Sequence, residues 1–145
     1  MQGQKQILGR EGEQIAETYL RKKGYRVVER NYRCPAGELD LIFLDRRVIV
    51  FVEVKTRTDE RFGAPLESVD RRKQRKMIKA ALFFLSQHRL HHREARFDVV
   101  GISFRGEPPF GSEPQGRRQG RTFMEREPVV EHVENAFDCS LLVTR

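Results

Sequence analysis

Gly37-Glu38-Leu39-Asp40-Leu41-Ile42-Phe43-Leu44-Asp45-Arg46-Arg47-Val48-Ile49-Val50-Phe51-Val52-Glu53-Val54-Lys55 is the segment from which the architecture can be read. Two runs rich in apolar and β-branched residues, 38–44 and 48–55, flank Asp45-Arg46-Arg47. That pattern predicts a β-hairpin, although Arg-Arg is poor turn chemistry beside Asn-Gly. The unbroken Val48-Ile49-Val50-Phe51-Val52 predicts a central strand covered on both faces. Side chains alternate along a strand, so Glu53 and Lys55 share one face while Val52 and Val54 take the other. If Arg46-Arg47 is a two-residue turn flanked by Asp45 and Val48, Asp40 stands opposite Glu53 and Glu38 opposite Lys55. Their Cβ atoms would then be about 4.5–5.5 Å apart. A slip of one residue would send the two sets to opposite faces.

Two carboxylates side by side on core strands repel, and partial burial adds a desolvation cost. A divalent cation removes both problems. Mg²⁺, or Mn²⁺ in its place, takes one or two protein carboxylates and leaves its other positions to water and substrate phosphate. A lysine beside such an ion stabilises developing negative charge or orients the attacking water. The implied chemistry is metal-assisted phosphodiester hydrolysis. The plainer alternative is a strand-end ion pair of Glu53 with Lys55 beside a solvated Asp40, because a bare Glu-X-Lys occurs often by chance.

Outward from the hairpin, residues 10–24 read as an amphipathic helix with Ile15, Ala16, Tyr19 and Leu20 at helical spacing and Gly24 as its stop. Residues 25–32 read as a strand and Cys34-Pro35-Ala36-Gly37 as a turn. A long helix is expected over 66–90, with Leu66, Val69, Met77, Ile78, Ala81, Leu82 and Leu85 in one stripe. Strands are expected over 97–104 and within 129–143. The order α-β-β-β-α-β with a closing strand fits one α/β domain over 1–145, a mixed sheet with helices packed on it. Residues 105–128 hold four of the 6 prolines and four of the 11 glycines, with Arg117, Arg118 and Arg121 among them. We read this as a mobile basic loop rather than a second domain.

Lys and Arg total 28 against 21 Asp and Glu, a net charge of +7, which favours polyanionic partners. No apolar run approaches the roughly 20 residues that cross a bilayer, so no membrane partner is expected. The start lacks the apolar stretch of a secretory signal, and Cys34 and Cys139 lack CxxC spacing. A cytoplasmic protein with free thiols is expected. His88 and His92 have the i, i+4 spacing of zinc sites, but no third ligand converges and helix-end histidines are the preferred reading. Lys73 lies on the apolar stripe of the long helix; it either snorkels from the core edge or points into a cleft towards phosphate, and both stay open. Phe83 and Phe84 read as core.

Gly37-Glu38-Leu39-Asp40-Leu41-Ile42 followed by Phe51-Val52-Glu53-Val54-Lys55-Thr56-Arg57 resembles the D…ExK signature of restriction-endonuclease-like nucleases. The whole chain resembles the YraN-like family, similar in fold to archaeal Holliday-junction resolvases. Further matching segments are Gly9-Arg10-Glu11-Gly12-Glu13-Gln14-Ile15-Ala16, Asp70-Arg71-Arg72-Lys73, Phe97-Asp98-Val99-Val100 and Asn135-Ala136-Phe137. The resemblance implies a restriction-endonuclease-like α/β fold, a central mixed sheet flanked by helices. It also implies Asp40 and Glu53 as metal ligands, Lys55 as the catalytic lysine and Glu13 as a further acidic ligand. Without it, Glu13 would read as a helix-dipole partner. Residues 105–128 are longer than the family's usual connection, and nothing transfers to them.

The leading expectation is a Mg²⁺- or Mn²⁺-dependent endonuclease acting on DNA, including branched structures. Arg10, Arg33, Arg57 and Lys73 would contact phosphates; an ordinary charged surface is the alternative for each arginine. A nucleic-acid-binding protein with a silent site is the second expectation, and an adaptor for an acidic protein partner the third. A resolvase on a symmetric junction would want a C2 homodimer, though no interface is visible in the sequence.

Overall fold

The computed structural model describes residues 4–57, 69–104 and 128–138. Helix α1 spans Gln4–Lys22, strands β1 Arg26–Cys34, β2 Gly37–Asp45 and β3 Val48–Arg57, helix α2 Arg71–Gln87, and strands β4 Ala95–Ser103 and β5 Val129–Val133. The strands form one sheet in the order β1-β2-β3-β4-β5. β3 and β4 run parallel, the other pairs antiparallel. This mixed five-stranded sheet with two helices is an α/β fold consistent with the restriction-endonuclease-like architecture.

The hydrophobic alternation of the central strands builds a core on each face. Ile49, Phe51, Phe97 and Val99 pack with Met77, Ala80, Ala81, Phe84 and Leu85 of α2. Val50, Val52, Val100 and Ile102 pack with Ala16 and Leu20 of α1. β3 has a hydrogen-bonded neighbour on each side, which explains its unbroken apolar run.

The hairpin register is the expected one from Asp45↔Val48 to Leu41↔Val52. Arg46 makes the Arg-Arg turn workable by adopting φ +57°, the left-handed region that such tight turns need. The ladder stops there. Leu39 joins the α2-side core although Leu41 and Phe43 face α1, so β2 loses its simple alternation across Asp40.

Several boundaries differ from expectation. α1 begins at Gln4 rather than residue 10, because Gly9 and Gly12 are carried inside a packed helix instead of breaking it. Glu13 is therefore mid-helix, and the helix-dipole reading falls away. α2 starts at Arg71, since the Asp70 side chain accepts from the Lys73 N–H at 2.8 Å and caps the helix. It ends at Gln87, before His91 and His92 can share a helical face with His88. Phe84 is core, but Phe83 is 43 % exposed. β5 ends at Val133. Cys34 is a half-buried free thiol. The expected loop at 105–127, Leu66, Cys139 and the strand tail 139–143 lie outside the described residues. No helix among the described residues is long and apolar enough to cross a membrane.

A buried polar cluster ties β4 to β5 on the α1 side. Asp98, fully buried, accepts from Arg96 Nε at 3.0 Å, from the Asn135 N–H at 3.0 Å and from His132 Nε2 at 2.7 Å. Lys23 Nζ lies 3.0 Å from His132 Nδ1; an ammonium can only donate, which leaves the ring proton on Nε2 facing Asp98. Arg96 also donates to Asp45 and to the Tyr25 hydroxyl. Burial opposes ionisation of Asp98, yet the donors from His132, Arg96 and Asn135 together hold its carboxyl below the usual range.

Candidate active site

The site forms where β2 and β3 part. One position beyond the last hairpin pair, Asp40 turns its carboxylate onto the neighbouring strand. Its Oδ2 accepts from the Val54 N–H at 2.8 Å, so a side chain does what a ladder carbonyl would otherwise do. β3 keeps its order through this fork because its other edge stays paired with β4 as far as Arg57↔Ser103.

Glu53 is 3 % exposed, one of two buried charged residues among those described. Its Oε1 lies 3.4 Å from Lys55 Nζ and 3.4 Å from Lys73 Nζ. Its Oε2 is buried and has no hydrogen-bond partner among the described residues. Both lysines thus crowd one oxygen and leave the other bare. Lys73 reaches in from the first turn of α2, so that its ammonium meets Glu53.

Asp40 feels burial first and the Glu53 charge second, and its pKa is pushed up to about 8; the Glu13 charge and a side-chain hydrogen bond to Glu53 add to the rise, and the Val54 hydrogen bond opposes it. Glu13 is also raised, by burial, with Asn31 hydrogen-bonding in opposition and the charges of Glu53 and Glu38 adding to the rise. So Glu13 sits within electrostatic reach of the pair. No group of three or more His, Cys, Asp or Glu side chains that could hold a metal is assembled among the described residues. The donor set is a carboxylate pair with Glu13 at its margin, not a closed triad. The histidines 88, 91 and 92 form no such group either.

The pair fits a hard divalent cation. It offers a carboxylate oxygen of Glu53 that is desolvated and unpartnered, and beside it the Asp40 carboxyl, whose pKa burial and the Glu53 charge raise. Such an ion needs only one or two protein carboxylates.

The remaining expected residues fall into two groups. Glu38 does not meet Lys55: the hairpin ladder ends before that pair, and Glu38 is exposed with Arg33 Nε 3.5 Å away. Arg33 borders the cleft on β1, and Arg10, exposed on α1, contributes its charge at Glu13. Arg57 lies at the end of β3, where its carbonyl accepts from the Phe104 N–H.

Three residues that position the site were not singled out from the sequence. Gly12 is where α1 meets β3; a Cβ there would sit 1.9 Å from Thr56 Oγ1, so only glycine lets the helix carry Glu13 this close. Asn31 adopts φ +50° inside β1 and hydrogen-bonds Glu13. An asparagine inside a strand is the available signal, since it tolerates the left-handed region and is otherwise disfavoured there. Asp70 caps α2 and so sets the turn that carries Lys73; an Asp before a basic, helix-forming run is the cue.

An α/β domain with an acid pair, Glu53 buried and Asp40 half-buried, and two lysines at a strand fork is the class that fold and site define. The chain belongs to the family described as Uncharacterised protein family UPF0102, whose family model matches residues 12–102. That span holds Glu13, the hairpin, α2 and nearly all of β4. A UPF0102 protein of Geobacter metallireducens is 41% identical over 90% of this chain and 92% of its own length. One from Desulfosudis oleivorans is 42% identical over 97% and 98%. One from Syntrophus aciditrophicus is 48% identical over 68% and 78%.

Proposed function

We propose that this protein is a Mg²⁺- or Mn²⁺-dependent endonuclease that hydrolyses DNA phosphodiester bonds, branched structures included, in the manner of restriction-endonuclease-like nucleases. The observation that carries the proposal is the bare, buried Oε2 of Glu53 next to a carboxyl whose pKa is lifted to about 8. Such a pair is a burden to the fold unless a cation joins it.

Asp40 and Glu53 would hold the ion, with Glu13 reaching it directly or through water. When bound, the ion supplies positive charge to a phosphate oxygen and acidifies water. Lys55, 30 % exposed on the same strand face as Glu53, is placed to meet the negative charge that builds on the phosphorane-like oxygens. Lys73 meets the same Glu53 oxygen from α2, 3.4 Å away, and would present its ammonium to the neighbouring phosphate. Arg10, Arg33 and Arg57 supply backbone contacts, so affinity falls steeply with salt. A cytoplasmic location goes with this reading, and a twofold homodimer would serve a symmetric junction.

The test is cleavage of branched, flapped and linear DNAs with Mn²⁺. Wild type should cut at least one, and Asp40→Asn and Glu53→Gln should each lose about 10²-fold or more. Cutting that survives both substitutions, or its absence throughout, overturns the proposal. That no group of three metal-ligating side chains is assembled among the described residues favours one alternative, a nucleic-acid-binding protein without catalysis. DNA binding with no Mn²⁺ heat in calorimetry would select it.

A further inference from the structure

Beside the acid pair lies a hollow of about 520 Å³, bounded by Arg33 and Cys34 at the end of β1, Glu38 on β2, and Lys73, Lys76 and Met77 on α2. Lys73 belongs to both places: it lines the hollow and its Nζ lies 3.4 Å from Glu53 Oε1. The hollow is therefore the next station for any chain whose phosphate sits at the pair.

We propose that this hollow receives one unpaired nucleotide of a nucleic-acid strand, so that the substrate class is single-stranded or locally unpaired DNA. The proposal rests on the nuclease reading for the direction in which the strand runs.

Size, charge and lining point the same way. The volume lies in the range of about 300–1,000 Å³ that suits organic ligands, far beyond what a lone phosphate needs. Three cations against one carboxylate match a phosphodiester on either side of a nucleoside. Met77, fully buried, and the half-buried Cys34 are among its lining residues, sulfur-bearing side chains of the kind that aromatic rings favour. Glu38, held 3.5 Å from Arg33 at the rim, can accept from the amino edge of a base. A base that is paired and stacked in a duplex cannot enter a recess; one released from the stack can.

The experiment uses the full chain in EDTA, so that binding is read apart from catalysis. A short mixed-sequence single strand and its duplex are titrated by fluorescence anisotropy against wild type, Lys76→Glu and Lys79→Glu. Lys79 is exposed on the same helix but outside the hollow, and its substitution makes the same charge change. Wild type should bind the single strand about tenfold tighter than the duplex. Lys76→Glu should abolish that preference, while Lys79→Glu should weaken both ligands equally and keep it. The bound single strand should also slow alkylation of Cys34 several-fold, and the duplex should not. Equal affinity for the two ligands, no binding of either, or identical behaviour of the two variants overturns the proposal. Metal-dependent cleavage is scored separately. Asp40-dependent cutting without strand preference removes the hollow and keeps the nuclease; strand preference without cutting keeps the hollow and removes the nuclease.

Discussion

Glu53 divides its two oxygens between two tasks. Oε1 lies close to Lys55 and Lys73, and Oε2, without a partner among the described residues, is where the proposed cation would bind. Burial and the Glu53 charge raise the Asp40 pKa, so this carboxyl keeps its proton to higher pH. Its carboxyl titrates at 3.8 when unperturbed and near 8 in the folded chain, so the unfolded chain releases this proton first as pH rises. The contribution of this carboxyl to stability is then fullest below about pH 4 and declines as pH climbs to about 8. Asp40→Asn removes that slope, so urea unfolding should find the variant gaining on wild type by a few kcal/mol between about pH 5 and pH 8. The Asn side-chain oxygen still accepts from Val54, which keeps the comparison on charge. Metal binding should run the opposite way. Ionised carboxylate is required, so Mn²⁺ affinity should rise over the same interval, with proton release visible as a dependence of the binding heat on the buffer.

At the scale of elements, the site depends on how close two helices come to one strand fork. Gly12→Ala would drive a methyl into Thr56, and overpacking of this kind costs about 1–3 kcal/mol. Adding Thr56→Ala should recover part of the lost melting temperature; a Gly12→Ala protein as stable as wild type would show that α1 does not need this approach. Asp70→Ala should cost about 1 kcal/mol through the lost cap and loosen the turn that carries Lys73. Much of this level was legible in the sequence. The apolar run 48–52 announced the central strand, and counting from the two-residue turn gave the register from Asp45 to Leu41. Legibility ended at Asp40, because there a carboxylate replaces the ladder, and strand alternation cannot foresee a side chain bonding the next strand's backbone. The start of α1 was hidden because glycine is a poor helix former, and Gly9 stands inside the helix with no neighbour within 4 Å to announce it.

The whole molecule separates its polar burdens by face. The acid pair and its lysines lie beside α2, and Asp98 with Arg96 and His132 lies beside α1. The second cluster was illegible as a cluster, since Tyr25, Asp45, Arg96 and His132 are far apart in the chain and meet only through the sheet order. Every Asp98 oxygen is engaged, so this cluster is read as structural. Asp98→Asn should cost about 3–5 kcal/mol by leaving Arg96 with too little counter-charge. Because the Asp98 pKa is lowered, its contribution is present above the ordinary carboxylate range and fades as pH falls through the folded value. The variant should keep wild-type Mn²⁺ affinity wherever it stays folded, as the two faces share no ligand.

One measurement bears on the central claim more directly than the rest: calorimetric titration of Mn²⁺ into wild type and Glu53→Gln near pH 8. The account predicts a single saturable site in wild type, with protons released, and at least a tenfold loss of affinity in the variant. A wild-type protein that takes up no Mn²⁺, or a variant that binds it equally well, would mean that the unpartnered oxygen of Glu53 is not a metal ligand.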